Sequence, residues 1–311
     1  ATLYSFPAMM KRNLMKGSVI PRYSGLPTVL KENGYYNLFF MTHEGQYDNM
    51  NAFFRTNGYD EVFSQEDYPA DKVVNSFGVQ DDFLYDYAIP VLNQRAATGQ
   101  PFFATLLSIS NHPPYVIPPF FHPKTSEPET QIVEYADWAL RKFFEEARKQ
   151  PWFDNTIFVL EGDHGKLVGD AECELPESYN HIPLMIYSSR IHPEEKNTFG
   201  GQVDIQPTIL GLLNIDYLQN NFGVDLLKEK RPCMFYTADN MVVGRNDTLL
   251  YLYNYETQQE LTYDIGNGKL NAVPMDDSFL PLKEYSFSML QSAEFLVKHG
   301  KTLNSIPFTQ Q

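Results

Sequence analysis

The chain is poor in positive charge. Against 39 aspartates and glutamates stand 24 lysines and arginines, a formal net charge of -15, and no long basic run relieves it. Binding a nucleic-acid backbone needs clustered Lys and Arg, so the balance argues against a nucleic-acid partner. Cysteine is almost absent. Cys173 and Cys233 supply neither a disulfide framework nor a zinc-ligand spacing, and read as one pair or as two isolated thiols. No apolar run approaches the roughly 18 residues of a spanning helix. No secretory leader opens the chain, and Ala1, leading straight into structured-looking sequence, suggests a truncated product. Internal repeats are lacking, and low complexity is confined to the proline-rich loop Pro113 to Pro128.

What is present is enough for a large core. Hydrophobic residues make up 43% of the 311 and aromatics 14%, which excludes a disordered chain. A small anionic substrate stays compatible with the charge, because a bound cation inverts the local field. Four short apolar runs read as buried strands: Tyr36 to Thr42, Phe102 to Ser108, Thr156 to Glu161 and Pro183 to Tyr187. Helical patterns lie between and after them, over Asp81 to Gln94, Ile132 to Lys149 and Asp204 to Leu213. In the second, Val133, Ala136, Leu140, Phe143, Phe144 and Ala147 recur at helical spacing. Asp204 is a candidate cap for the third. Strands alternating with helices predict an α/β fold, a three-layer αβα sandwich on a largely parallel sheet, with ligands collecting at the carboxyl ends of its strands.

After about Lys230 the pattern changes. Cys233 to Ala238, Met241 to Arg245, Leu249 to Glu256 and Glu260 to Asp264 are short runs split by turn residues, and Leu282 to His299 reads as a helix. The expected division is a main unit over 1–230 and a small antiparallel-sheet-plus-helix unit over 231–311.

The densest chemistry follows the run TIFVL. Glu161-Gly162-Asp163-His164-Gly165 sets a hard carboxylate beside an imidazole at a strand's end, and the glycines let the backbone turn tightly around an ion. A strand-ending turn with an incidental histidine would explain a lone Asp-His pair. The buried strand and flanking glycines point instead to metal binding.

These residues resemble the metal motif of lipoteichoic acid synthases, membrane phosphoglycerol and phosphoethanolamine transferases, and sulfatases, all of the alkaline phosphatase superfamily. The likeness runs through the chain in order. Leu26 to Tyr35 (LPTVLKENGY), Gly58 to Phe63 (GYDEVF), Phe102 to Tyr115 (FFATLLSISNHPPY), Asn180 to Tyr187 (NHIPLMIY), Gly201 to Leu213 (GQVDIQPTILGLL) and Asn221 to Leu226 (NFGVDL) each match a family landmark.

The resemblance implies a metal-dependent phosphotransferase or ester hydrolase in which Asp163 and His164 are two protein ligands of one divalent ion. Manganese or zinc suits their mixed oxygen and nitrogen shell better than magnesium. The remaining ligands, an acid after a first strand and a Thr or Ser nucleophile, would lie before Ala1. Phe6-Pro7-Ala8 matches an element that follows the nucleophile in relatives, and Thr2 reads as part of the helix behind it. His112 would bond a phosphoryl oxygen or the leaving group, and His181 would neutralise phosphate charge. His43 is a third substrate-binding candidate or an ordinary exposed strand-end histidine. His122, His192 and His299 read as structural, the last well placed for a helix dipole.

One departure concerns the substrate. The arginine that grips glycerol phosphate in lipoteichoic acid synthases is missing, its region holding Asp48 and Met50. Tyr47, Asp48 and Asn49 read either as a reader of another head group or as a helix start capped by Asp48. The implied partner is a lipid- or glycan-linked phosphate or sulfate ester. The implied location is the outer face of a bacterial membrane, reached through an N-terminal anchor that this sequence lacks. Two alternatives stand beside phosphotransfer: a sulfate or phosphate ester hydrolase, whose C-x-P-x-R nucleophile motif would also lie upstream, and an inert binding domain. Oligomeric state is not legible.

Overall fold

The computed structural model describes residues 1–17, 19–167 and 169–304. In chain order, its main unit runs Leu26–Glu32 (α1), Tyr36–Met41 (β1), Met50–Thr56 (α2), Glu61–Phe63 (β2), Val73–Asn75 (β3), Gly78–Val79 (β4), Asp81–Ala96 (α3), Phe102–Leu107 (β5), Pro128–Ala147 (α4), Phe158–Glu161 (β6), Leu184–Tyr187 (β7) and Ile205–Leu212 (α5). A tail follows with Met234–Ala238 (β8), Met241–Arg245 (β9), Leu249–Asn254 (β10), Gln259–Asp264 (β11), Asn271–Ala272 (β12) and Leu280–Lys298 (α6).

Side-chain alternation along β1 sets the layers. Leu38 and Phe40 face one way and meet Leu84, Ala88 and Leu92 of α3 and Phe143 and Ala147 of α4. Phe39 and Met41 face the other way, against Phe53 and Phe54 of α2. On that side α1 and α5 pack together through Leu26, Leu30, Ile205 and Leu210. Helices therefore cover both faces, as the αβα expectation requires.

The strands β2-β1-β5 form a parallel sheet, β1 and β5 pairing residue for residue from Tyr36↔Phe102 to Met41↔Leu107. Strands β6 and β7 depart from the all-parallel reading: they pair antiparallel with each other, Phe158↔Tyr187 to Glu161↔Leu184. Phe158 and Val159 nonetheless join the two apolar layers, one on each side. Nor is β7 buried as expected, since Leu184, Met185 and Tyr187 are exposed. Helix α4 begins at Pro128, earlier than expected, and its buried stripe is Ile132, Tyr135, Ala139, Phe143 and Ala147. Val133, read as core-facing, is exposed, so the true stripe is rotated toward its neighbour.

In the tail, β12-β11-β10-β9-β8 is an antiparallel meander with α6 packed on β8 and β9. Cys173 and Cys233 are free thiols and belong to different apolar clusters, so they do not pair.

A buried ion pair fastens the tail to the main unit. Arg231 grips both carboxylate oxygens of Asp204 and donates to the Tyr285 hydroxyl at 2.9 Å and to the Phe222 carbonyl. Both side chains are sealed from solvent. Asp204 does not cap α5 by its side chain; it accepts instead from the N–H of Gly201 at 2.8 Å and of Val224 at 2.9 Å. Removing one partner strands the other charge out of water. Arg231→Met should therefore lower unfolding free energy by about 3–5 kcal/mol, with Asp204→Asn comparable, and the double variant should lose less than the sum. Denaturant midpoints of the four proteins check it.

Candidate active site at the carboxyl ends of the strands

The loop after β5 is held from beneath by the first residue of α3. Asp81 Oδ1 accepts from the N–H groups of Ile109 and Ser110, each at 3.0 Å, while its own N–H donates to Ser110 Oγ at 3.0 Å. Ser110 Oγ donates in turn to Gln80 Oε1 at 2.9 Å, and Gln80 Nε2 donates to the Val116 carbonyl at 2.9 Å. Both ends of the loop carrying His112 are thus tied to one helix N-terminus. Burial pushes the Asp81 carboxyl above its ordinary range, outweighing the N–H donors that pull it down.

His112 emerges from this loop exposed. Its Nδ1 lies 2.7 Å from the Pro113 carbonyl, and a carbonyl only accepts, so Nδ1 carries the proton and Nε2 points away. Its ring lies 4.3 Å from that of Phe77, at the tip of the β3–β4 hairpin. Gly78 (φ 88°) lets that hairpin sit directly on the end of β1, where a Cβ would run into the Thr42 carbonyl. The hairpin therefore joins the His112 loop to His43. His43 itself is only 2% exposed, its ring 4.7 Å from Tyr47, so it lies beneath that side chain rather than open at the strand tip. Tyr47 is half exposed. Asp48 and Asn49 follow in left-handed backbone (φ 49° and 63°). Asp48 does not cap α2 but pairs with Lys16 at 2.6 Å, and Asn49 donates to the Met15 carbonyl at 3.0 Å.

The second half of the site follows β6. Asp163 and His164 are both exposed, with Oδ2 and Nε2 3.6 Å apart. The His164 N–H donates to Asp163 Oδ1 at 2.9 Å, and its Nδ1 donates to the Gly165 carbonyl at 2.8 Å. That bond leaves the Nε2 lone pair free, with Nε2 3.6 Å from Asp163 Oδ2. Gly165 lies against the turn Glu177–Tyr179, its N–H donating to the Tyr179 carbonyl at 2.8 Å, where a Cβ would run into the Ser178 carbonyl. The same turn delivers His181, exposed, whose N–H donates to the Glu177 carbonyl at 2.8 Å. The contact thus ties the backbone of the Asp163–His164 loop to the turn that precedes His181.

Two supporting residues, Gln202 and Lys166, escaped the sequence reading. Gln202 Nε2 donates to the Asp163 carbonyl at 2.8 Å and steadies the loop from α5's leading turn. Lys166 Nζ lies 2.7 Å from the Tyr115 hydroxyl and so bridges the loops of His164 and His112. A lone cation straight after G-D-H-G in so acidic a chain was the signal for it. Glu161, at the tip of β6, keeps a buried Oε2 with no hydrogen-bond donor. Burial raises its carboxyl, the Thr2 hydroxyl pulls it back, and the Asp163 charge raises it further. Thr2 is not helical: residues 1–5 make a single turn, the Ser5 N–H donating to the Ala1 carbonyl at 2.7 Å.

A carboxylate oxygen and an imidazole nitrogen 3.6 Å apart suit two ligands on one cation with bonds of about 2.1 Å. The orphaned oxygen of Glu161 adds a polar atom without a partner nearby. The donors fit a divalent ion. Among the described residues they do not form a group of three or more.

Comparison with known proteins bears on the family and the fold. A sulfatase family model matches residues 1–215. The chain belongs to the sulfatase family. It is 26% identical over 270 residues to lipoteichoic acid synthase 1 of Bacillus subtilis, a match covering 79% of this chain and 40% of that protein. It is 26% identical over 234 residues to the lipoteichoic acid synthase of Staphylococcus saprophyticus, covering 67% and 35%. The chain thus spans 40% or less of the length of these curated relatives. Among solved structures, an alkaline phosphatase superfamily protein of Vibrio parahaemolyticus superposes with a TM-score of 0.84 at 26% identity, covering 96% of this chain and 74% of the other. The lipoteichoic acid synthase LtaP of Listeria monocytogenes gives 0.79 at 22%, covering 96% and 78%, which bears on the fold alone. The sulfatase-family fold is that of the alkaline phosphatase superfamily.

The Asp81 network makes a prediction about order and pH. Asp81→Ala leaves two backbone N–H groups without their acceptor, and should cost on the order of 2–4 kcal/mol and speed hydrogen exchange at Ile109 and Ser110. For Asp81→Asn the sign follows from the raised folded-state carboxyl. Its stabilising difference from Asn is full below the ordinary value of 3.8 and is lost as pH rises through the raised value. Unfolding free energies of wild type and Asp81→Asn across that window check it.

Proposed function

We propose that this sulfatase-family domain transfers or hydrolyses a phospho head group on a lipid- or glycan-linked ester, at the outer face of a bacterial membrane. The observation that carries the reading is the convergence of Asp163 Oδ2 and His164 Nε2 at the tip of β6, with the His164 tautomer set for ligation. Among the described residues no helix is long and apolar enough to cross a membrane, so the anchoring belongs to the proposal. The similarity to lipoteichoic acid synthases supports phosphotransfer over sulfate hydrolysis.

Asp163 and His164 would hold a divalent cation, manganese or zinc by the mixed donor set. Bound there, such an ion supplies Lewis acidity, lowering the pKa of an attacking hydroxyl and offsetting charge on the ester. The nucleophile would be a Thr or Ser hydroxyl upstream of Ala1. It would form a bond to phosphorus as the ester oxygen leaves, and an acceptor alcohol or water would then release the group. His112 has Nδ1 committed to the Pro113 carbonyl, so it donates to a phosphoryl or leaving oxygen through Nε2 only as the imidazolium. His181 and Lys166 would add positive charge to the site. Tyr47, resting on His43, would face the head group, in the region where the glycerol-phosphate arginine is missing.

Chromogenic esters test the reading. Protein extended upstream of Ala1 should cleave nitrophenyl phosphodiesters with manganese or zinc present. Asp163→Ala or His164→Ala should lower kcat/KM at least about 100-fold and weaken calorimetric metal binding in parallel. The 311-residue chain alone should stay near background. A preference for nitrophenyl sulfate would favour the hydrolase alternative. Robust turnover by the 311-residue chain, abolished by Asp163→Ala, would sink the upstream nucleophile.

A further inference from the structure

The segment that carries Asp163 and His164 has no regular structure of its own. Among the described residues, none from 162 to 176 belongs to a helix or strand, so side chains from elsewhere have to fix it. Gln202 holds its start at the Asp163 carbonyl. The tail sheet holds its far end. Leu175, only 3% exposed, is buried in an apolar cluster with Val243 of β9, Leu252 of β10 and Tyr263 of β11. On one side of that anchor the Tyr263 hydroxyl donates to Glu174. On the other, Arg245 Nε, at the end of β9, donates to Glu177 Oε1 at 2.5 Å.

Glu177 is also where the backbone of the site converges. It opens the single turn Glu177–Tyr179, and its carbonyl accepts from the His181 N–H at 2.8 Å. At the other end of that turn the Tyr179 carbonyl accepts from the Gly165 N–H, also at 2.8 Å. With no side chain between Gly165 and the Ser178 carbonyl, loop and turn are in backbone contact. A shift of the turn therefore moves the residue next to His164. The Arg245–Glu177 pair is partly open, its side chains 29% and 36% exposed. A pair this open contributes little to global stability, which separates its effect on the loop from any effect on folding.

We propose that the tail sheet positions the Asp163–His164 loop, with Arg245 and Tyr263 as the positioning residues. The inference rests on Asp163 and His164 as cation ligands, and it gives the tail a part in that site. Arg245 acts through Glu177 and Tyr263 through Glu174; neither is itself a ligand. Two ligands on an irregular loop hold a cation well only if the loop is ordered beforehand, because ordering it on binding subtracts from affinity. The sheet supplies that order from a fixed base. Arg245 is paired on both sides, with Met234 of β8 and Leu250 of β10, so its side chain projects from an interior strand.

Amide hydrogen exchange of the 311-residue chain, read by NMR, tests this without any ester. In Arg245→Met and in Tyr263→Phe the Gly165 and His181 N–H groups should exchange at least about threefold faster, while Val243 and Leu252 within the tail sheet keep their wild-type rates. Arg245→Lys, which keeps the charge, should restore most of the protection lost in Arg245→Met. Manganese alone is the second probe. Mn2+ should broaden the Gly165 amide resonance of the wild type, and both variants should need at least about threefold more of it for equal broadening. Exchange at Gly165 and His181 unmoved in both variants, or faster exchange spread evenly through the tail sheet, would overturn the proposal. Absence of Mn2+ broadening in the wild type would instead count against Asp163 and His164 as ligands, and the exchange rates would still decide whether the tail positions the loop.

Discussion

Asp204 is a carboxylate that has no contact with water and still bonds in every direction. Arg231 neutralises it, the N–H groups of Gly201 and Val224 satisfy its oxygens, and its backbone carbonyl accepts from Thr208. A buried charge is tolerated only when such a set is complete. Completeness here forces several segments to converge: the turn before α5, the loop at Phe222, the lead into β8, and Tyr285 of α6. Two residues from Asp204, Gln202 holds the Asp163 carbonyl. The ion pair thus reaches the Asp163 loop through one turn of backbone, and the loop at Phe222 through the Arg231 guanidinium.

Parallel strands give the site its location. Because β1 and β5 run together in register, their carboxyl ends deliver Thr42–His43 and Ile109–His112 to one edge. There the backbone no longer has ladder partners, and each loop is secured by a side chain instead. Asp81 secures one, Glu66 secures another through the Gly45 N–H, and Gln202 a third. Loops so fixed can project histidines without losing them to solvent-driven disorder.

Much of this was legible in the sequence, and the gaps have physical causes. Strand cores such as Tyr36–Met41 and Phe102–Leu107 were readable because apolar runs bounded by turn residues leave few alternatives. Direction was not, since Phe158–Glu161 and Leu184–Tyr187 carry no mark of whether they pair parallel or antiparallel. In α4 the stripe was displaced because Pro128 starts the helix earlier, and Ile132 rather than Val133 turns inward. G-D-H-G singled out Asp163 and His164 by their chemistry, and the structure sets their Oδ2 and Nε2 3.6 Å apart. His43 was harder, because its burial depends on Gly78 arriving from a distant hairpin. Hydrogen-bond hubs such as Asp81 leave no periodic signal.

The histidines at the strand ends share a local device that decides how they can act. His43, His112 and His164 each place Nδ1 near the carbonyl of the next residue, at 3.1, 2.7 and 2.8 Å. A carbonyl accepts only, so the proton sits on Nδ1 and the lone pair on Nε2. In this neutral form His164 would need no tautomer change to ligate a cation. His112, held the same way, would present an acceptor to the anionic ester proposed above and would need a second proton to help it. The same backbone contact thus bears differently on the two proposed roles: the neutral ring beside Asp163 suits a cation, whereas the ring beside Phe77 would serve an oxyanion only when charged.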